Sequence, residues 1–298
     1  MDGSVLGGAP PAAAGRETEG SVMAVDTPVL QARGLCFSYD GRTNALDSVS
    51  LDIRAGERLA VLGQNGAGKS TLFLCLNGVL APTAGEVLLH GQPMRGKRRR
   101  ALCAQVGIVF QQADDQIIAS TVAGEVSFGP MNLRLPRDEV VRRVDRALDC
   151  MELQPLRSRP PHELSGGEKK RVTIADILAM ESEVILFDEP GASLDPAGEA
   201  RLEGVLERLS GAGKTLVIAT HDMGFAFRWA TRAVVFSGGR LIADGTPEEV
   251  FRNEAALAAA HLKKPAMLEV FELLRARGLV PADAPCPKTP AALERLLK

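Results

Sequence analysis

Apolar residues in this chain fall into two patterns, short continuous or alternating runs and longer stretches with helical spacing. Residues 30–39 read as a strand, and 45–53 as another, alternating at Val49, Leu51 and Ile53. Residues 59–62, 106–110, 183–187 and 215–219 are near-continuous apolar runs, polar only at Glu183 and Thr215, the signature of strands buried on both faces of a parallel sheet. Residues 86–90 form a short strand, and 233–244 a hairpin turning at Gly238-Gly239. Residues 121–156 turn helical. Pro136 opens a helix with apolar positions Val140, Val141, Val144, Leu148 and Met151, and residues 157–161 break it. A further helix begins after Gly167. Beyond Pro247 the pattern is helical to the end, with a stripe at Met267, Val270, Phe271 and Leu274 and a short last helix capped at Thr289-Pro290. That stripe fits packing on the chain's own core and contact with a second subunit equally well. Residues 1–27 are rich in Gly, Ala and Pro, without a basic segment leading into an apolar one. They are expected to be a flexible extension, not a secretory signal.

With 298 residues, 45% apolar and 24% charged, the chain can bury a sizeable core. Its net charge of −2 gives no global pull toward nucleic acid. The basic run at Arg95 and 97–100 lacks interleaved aromatics and reads as a solvated helix start. No apolar run reaches the roughly 18–20 residues a spanning helix needs, so the chain is not expected to be a channel or permease by itself. Five scattered cysteines without a C-x-x-C pair read as reduced, mostly buried thiols. The four histidines show no metal-ligand spacing.

The candidate chemistry centres on residues 63–71, Gly63, Gln64, Asn65, Gly66, Ala67, Gly68, Lys69, Ser70 and Thr71. They fit G-x-x-x-x-G-K-[ST] between an apolar strand and a helix-compatible run. Glycines let successive N–H groups turn inward around an anion, and the helix that follows adds its positive end. Lys69 is expected to reach the β- and γ-phosphates of a nucleotide, and Ser70 to ligate Mg²⁺. Tyr39, the chain's single tyrosine, ends a strand where its ring could stack on a base or simply pack. Gln111 ends another strand, where its amide could touch Mg²⁺ or an attacking water. Asp188 and Glu189 end a third. The first can hold Mg²⁺, and the second can orient or deprotonate water. Ser165-Gly166-Gly167-Glu168 before a helix is a second anion site of the same physical kind. His221 ends a strand within reach of a γ-phosphate, and 193–195 make a tight acidic turn that includes Asp195.

The order of these motifs from about residue 28 to 255 resembles the ATP-binding cassette ATPases. There they correspond to an adenine-stacking loop (Tyr39), Walker A, Q-loop (Gln111), signature (Ser165 to Glu168), Walker B, D-loop (Asp195) and H-loop (His221). The resemblance implies a P-loop α/β core of mixed RecA-like sheet plus an antiparallel β subdomain over 28–255. An inserted helical subdomain would cover about 112–164, and a C-terminal helical extension 256–298. ATP and Mg²⁺ are the implied cofactors, with Ser70, Gln111 and Asp188 toward the metal and Glu189, Gln111 and His221 toward catalysis. It further implies a head-to-tail dimer with an identical or homologous subunit, each signature completing the partner's site. Glu168 stands where the family most often has Gln.

Residues 110–116, 128–133 and 160–171 look like the energy-coupling-factor importers, most of all the cobalt/nickel uptake ATPases. The implied partners are a membrane coupling subunit and a substrate-capturing membrane subunit, with no nucleic acid, at the cytoplasmic face of the cell membrane. In that group Asp114 to Ile118 would be where the coupling subunit docks. The alternatives are the ATPase of another transporter, a vitamin importer or an exporter, and a soluble cassette ATPase of translation or repair. One Walker A and one signature, with no heptad coiled coil between Gln111 and Leu164, disfavour the soluble class.

Overall fold

The computed structural model describes residues 28–192, 194–281 and 283–297. The expected extension at 1–27 and Ser193 of the acidic turn lie outside the described residues. The first alternating runs pair with each other: β1 (Pro28–Ser38) and β2 (Asn44–Arg54) are antiparallel, Ala32 opposite Leu51. A tight turn leads into β3 (Arg58–Leu62), then α1 (Lys69–Asn77). β4 (Ala84–Leu89) and the two-residue β5 (Gln92–Pro93) return to the first sheet, giving the four-stranded antiparallel order β2-β1-β4-β5.

The remaining strands build a second sheet. Helix α2 (Arg99–Gln105) leads into β6 (Val106–Val109). Helices α3 (Val122–Asn132), α4 (Arg137–Cys150) and α5 (Gly166–Met180) follow before β7 (Val184–Asp188). Helix α6 (Pro196–Gly211) precedes β8 (Thr215–Thr220), and α7 (Met223–Trp229) precedes the hairpin β9 (Arg232–Ser237) and β10 (Arg240–Gly245). The order is β10-β9-β3-β8-β7-β6, parallel throughout except for the β9–β10 hairpin. Helices α8 (Pro247–Arg252), α9 (Glu254–Ala259), α10 (Ala266–Ala276) and α11 (Pro290–Leu296) close the chain.

The central strands explain their near-continuous apolar runs by serving two cores. Leu59 and Val61 of β3 face a cluster with α1 and the antiparallel sheet, whereas Ala60 and Leu62 face a cluster with α3 to α7. Strand β7 splits the same way, Val184 and Leu186 against Ile185 and Phe187, and so does β8, Val217 and Ala219 against Leu216 and Ile218. Because strand side chains alternate, one strand can seal two cores only if every position between its ends is apolar.

Some expectations need correction. In α4 the buried residues are Val140, Val144, Ala147 and Leu148, while Val141 is 46% exposed. In α10 Leu268 and Phe271 are buried while Val270 is exposed, so Leu268 takes the place expected of Val270 in the inward stripe. Met267 and Leu274 still pack on the core, which answers half of the open question: α10 docks on its own chain. Only Cys75 and Cys286 are buried; Cys36 and Cys150 are half-buried and Cys103 is exposed. No helix among the described residues is long and apolar enough to cross a membrane.

Candidate functional site

The loop between β3 and α1 is shaped by its glycines. Gly63, Gly66 and Gly68 have φ of 153°, 80° and 107°, conformations that side chains on L-residues resist. Space decides it as well. A Cβ on Gly63 would lie 2.6 Å from the Phe236 carbonyl oxygen, and one on Gly68 2.5 Å from that of Ala45. The Gly239 N–H, in the β9–β10 turn, donates to the Ala67 carbonyl at 3.0 Å and pins the loop from behind. Lys69 then sits inside the nest, 6% exposed, its Nζ donating to the carbonyls of Gly63 (2.7 Å) and Gln64 (3.2 Å). Burial pushes its pKa down, and the neighbouring charges of Glu189 and Asp188 partly offset that.

One cleft gathers Tyr39, Ala45, Asn65, Gly66, Gly68, Lys69, Ser70, Thr71, Gln111, Asp188 and Glu189. Gln111, Asp188, Glu189 and the phosphate loop follow the ends of β6, β7 and β3, so strands of one parallel sheet aim their carboxyl ends at one point, while Tyr39 after β1 and Ala45 of β2 come from the antiparallel sheet. Tyr39 is 67% exposed, its ring edge-on to Phe37 at 4.9 Å and its hydroxyl 3.2 Å from Thr71 Oγ1. The ring therefore has a free face beside the loop.

Asp188 and Glu189 are both buried at the end of β7. Glu189 holds φ of +47°, a left-handed conformation that costs a non-glycine residue about 1–3 kcal/mol. Its N–H donates to the Ala219 carbonyl of β8 at 3.0 Å, which holds that turn in place. Its Oε2 lies 2.7 Å from His221 Nδ1 and accepts from the His221 N–H at 3.3 Å. An ionised carboxylate can only accept, so the imidazole donates through Nδ1. Oε1 is buried with no hydrogen-bond partner, 3.9 Å from Lys69 Nζ.

An orphaned carboxylate oxygen in a lysine-lined cleft marks a place for a water or a further cation. Ser70, Gln111 and Asp188 supply hydroxyl, amide and carboxylate oxygens at the same cleft, a hard donor set that fits Mg²⁺. No cluster of three His, Cys, Asp or Glu side chains exists among the described residues, so these few oxygens suit an ion shared with phosphate better than an all-protein cage.

The second anion site stands apart. Ser165 caps α5 in a capping box: the Glu168 N–H donates to Ser165 Oγ at 3.4 Å, and Glu168 Oε2 accepts from the Ser165 N–H and hydroxyl, each at 2.8 Å. Those bonds hold the Glu168 carboxyl below its ordinary range. Ser165 and Gly166 are exposed, and none of Ser165, Gly166, Gly167 or Glu168 lines the cleft with Lys69. Asp195 caps α6, accepting from the Gly198 N–H at 2.7 Å.

The stretch after Gln111 is partly engaged within the chain. Asp114 already pairs with Lys169 at 2.7 Å, and Ile117 packs against the core. Ile118 is 69% exposed, and α3 adds Phe128 and Met131 to the exposed apolar residues. Sequence reasoning missed Lys170, which sits between Lys169 and Arg171 in the charged first turns of α5 and carries no local signal of its burial. Its Nζ donates to the carbonyls of Phe110 (2.6 Å) and Gln111 (3.1 Å). It also missed Gln116, which donates to the Thr173 carbonyl and Asp176 Oδ2, each at 3.2 Å, and accepts from the Phe110 N–H at 3.4 Å.

The ABC transporter family matches residues 46–192. An ABC transporter ATP-binding protein of Methanosarcina mazei is 48% identical over 256 residues, 85% of this chain and 78% of its own length. The energy-coupling factor transporter ATP-binding protein EcfA of Methanocaldococcus jannaschii is 42% identical over 257 residues, 86% of this chain and 92% of its own. Among solved structures, cbiO1 of Clostridium perfringens, part of the ABC transporter complex cbiONQ, superposes with a TM-score of 0.70 at 38% identity, covering 83% of this chain and 99% of that one. Some relatives are longer: this chain spans 56% of a second Methanosarcina mazei ABC transporter ATP-binding protein.

Proposed function

The chain belongs to the ABC transporter ATPases, as an ATP-binding subunit of the energy-coupling factor type, and from that premise we propose that its ATP hydrolysis powers import of cobalt or nickel ion. The observation that carries the ATPase assignment to residues is the single cleft that joins Lys69, Asp188, Gln111 and Glu189. ATP would lie with its base on Tyr39 and its phosphates in the nest after β3, Lys69 turning from the loop carbonyls to the β- and γ-phosphates. Mg²⁺, held through Ser70, Asp188 and Gln111, would neutralise developing phosphate charge. Glu189 accepts the proton of the attacking water, and His221 fixes that carboxylate through its Nδ1–H and N–H.

The exposed N-terminus of α5, away from its own cleft, supports a two-fold head-to-tail pair in which Ser165, Gly166 and Gly167 reach the partner's nucleotide. Exposed Ile118, whose N–H is tied to Glu125 of α3, and exposed Phe128 and Met131 further along that helix support a docking face for a membrane coupling subunit. The chain would then work as a peripheral protein on the cytoplasmic side of the membrane. The cargo reading rests on the resemblance of residues 110–116, 128–133 and 160–171 and on the likeness to cbiO1. Cargo itself is chosen by a separate membrane subunit in this reading.

The test is co-expression with candidate membrane coupling and capture subunits, purification, and reconstitution in vesicles. ATP-driven uptake of cobalt or nickel, lost with Glu189→Gln, is the expected result. Failure to co-purify with any membrane subunit would overturn the transporter role of this chain. ATP-driven uptake of a vitamin, with neither metal moving, would overturn the cargo alone.

A further inference from the structure

Helix α5 starts at the signature residues and runs past the end of β6, where Gln111 leaves the sheet. Two of its positions grip that exit. Lys170, 5% exposed, donates from Nζ to the carbonyl oxygens of Phe110 at 2.6 Å and Gln111 at 3.1 Å. One turn further, the Thr173 carbonyl and Asp176 Oδ2 hold the Gln116 amide, whose oxygen takes the Phe110 N–H at 3.4 Å. Both polar groups of the Phe110 backbone are thus fastened to α5, one by a charged donor. Withdrawing an ammonium from water is costly, and a neutral donor or a water would satisfy two carbonyls at less expense. Hydrogen bonds from a charged donor are shorter and hold geometry more firmly than neutral ones.

We propose that Lys170 is a positioning residue for Gln111: it locks the peptide that carries the Gln111 side chain to the signature helix, so that α5 and Gln111 move as one piece. When Ser165 to Gly167 engage a partner's nucleotide, Gln111 is brought to its own nucleotide by the same displacement of α5. The inference rests on the reading of Gln111 as part of the ATP site. It assigns Lys170 no contact with ATP, so nucleotide affinity should not depend on it.

The test is a double-mutant cycle in the full chain with Lys170→Met and Gln111→Ala, read as kcat for phosphate release and as ATP affinity from titration of a fluorescent ATP analogue. Gln111→Ala is expected to lower kcat at least tenfold. Lys170→Met is expected to lower kcat by a similar factor while ATP affinity stays within twofold, and the double variant should be no slower than Gln111→Ala alone. A general packing defect would multiply with Gln111→Ala instead, because it does not act through that side chain. Fold losses that multiply, or a Lys170→Met enzyme with normal kcat, would overturn the proposal while leaving the ATP site intact. A Gln111→Ala enzyme with normal kcat would overturn the reading of Gln111 and the proposal with it. Should Lys170→Met fail to fold, Lys170→Gln, which still donates to one carbonyl, carries the same cycle with an intermediate loss expected.

Discussion

Replacing Glu189 by Gln tests the catalytic reading most directly, because the two side chains have nearly the same shape. The Gln carbonyl oxygen can keep the His221 Nδ1–H bond that Oε2 now accepts at 2.7 Å, so the local fold should survive. What disappears is the ability to take a proton. General-base assistance is worth typically about 10²–10⁴ in rate, or about 3–5 kcal/mol of barrier. Binding should move the other way. Glu189 Oε1 lies 3.9 Å from Lys69 Nζ, with both side chains buried. At an effective dielectric near 20, that separation corresponds to about 4 kcal/mol of gross attraction. Neutralising the carboxylate frees Lys69 for phosphate and removes a negative charge beside an incoming polyanion. The expected outcome is kcat down at least a hundredfold, ATP affinity equal or tighter, and a closed dimer that persists in ATP. Phosphate release, analogue titration and gel filtration read the three quantities. A variant that turns over within threefold of the parent, or that binds ATP tenfold more weakly, would refute the assignment of Glu189 and the charge argument respectively.

Other substitutions probe the site from different sides. Lys69→Ala should weaken ATP binding in a single chain, whereas Ser165→Arg should leave binding intact and stop turnover. Mixing the two inactive proteins should restore partial activity if the signature acts across the pair, and a mixture that stays inactive at every ratio would count against it. Tyr39→Ala should cost about 1–3 kcal/mol of adenine stacking, read as a loss of ATP affinity of roughly tenfold with the maximal rate little changed; unaltered affinity would remove Tyr39 from the site. Asp176 is pushed up from 3.8 to about 7, first by burial and then by the charge of Glu125, with the Gln116 bond opposing. A carboxyl whose folded pKa is raised stabilises the fold fully below about pH 4 and loses that contribution as pH climbs through 7. Asp176→Asn should therefore leave the melting temperature near pH 4 almost unchanged and raise it at pH 8, where ionising the buried carboxyl costs the parent fold up to about 4 kcal/mol for a shift of roughly three units. Equal effects at the two pH values would sink that account.

Much of this architecture was legible before any coordinates. The phosphate loop was legible because its requirements are local: the nest needs glycines where Cβ atoms would strike Phe236 and Ala45, and the spacing of Gly63, Gly68 and Lys69 records that need. The doubly buried strands were legible because sealing two cores confines polar residues to the ends of β3, β7 and β8. What stayed hidden depends on contacts between distant residues. The bond from His221 to Glu189 spans 32 positions, and that from Lys170 to Phe110 spans 60. No local periodicity encodes either. Errors of face in α4 and α10 have a related cause. Val141 and Val270 are as apolar as their buried neighbours, and only the position of the opposing helix decides which of two adjacent residues turns inward.

The six-stranded sheet, with a separate core on each side, also sets how this molecule can be altered. The nucleotide loop, Tyr39 and α1 rest on one core, and α3, α5 and α10 rest on the other. The strands between them behave like a bulkhead, hydrogen-bonded edge to edge, with alternate side chains committed to opposite sides. Substitutions confined to the exposed side of α3, where Phe128 and Met131 lie, therefore need not be compensated in the half that grips ATP. Helix α5 is the exception, because Lys170 ties it to the peptide of Gln111, and a new face for a different transporter would have to leave that tie in place.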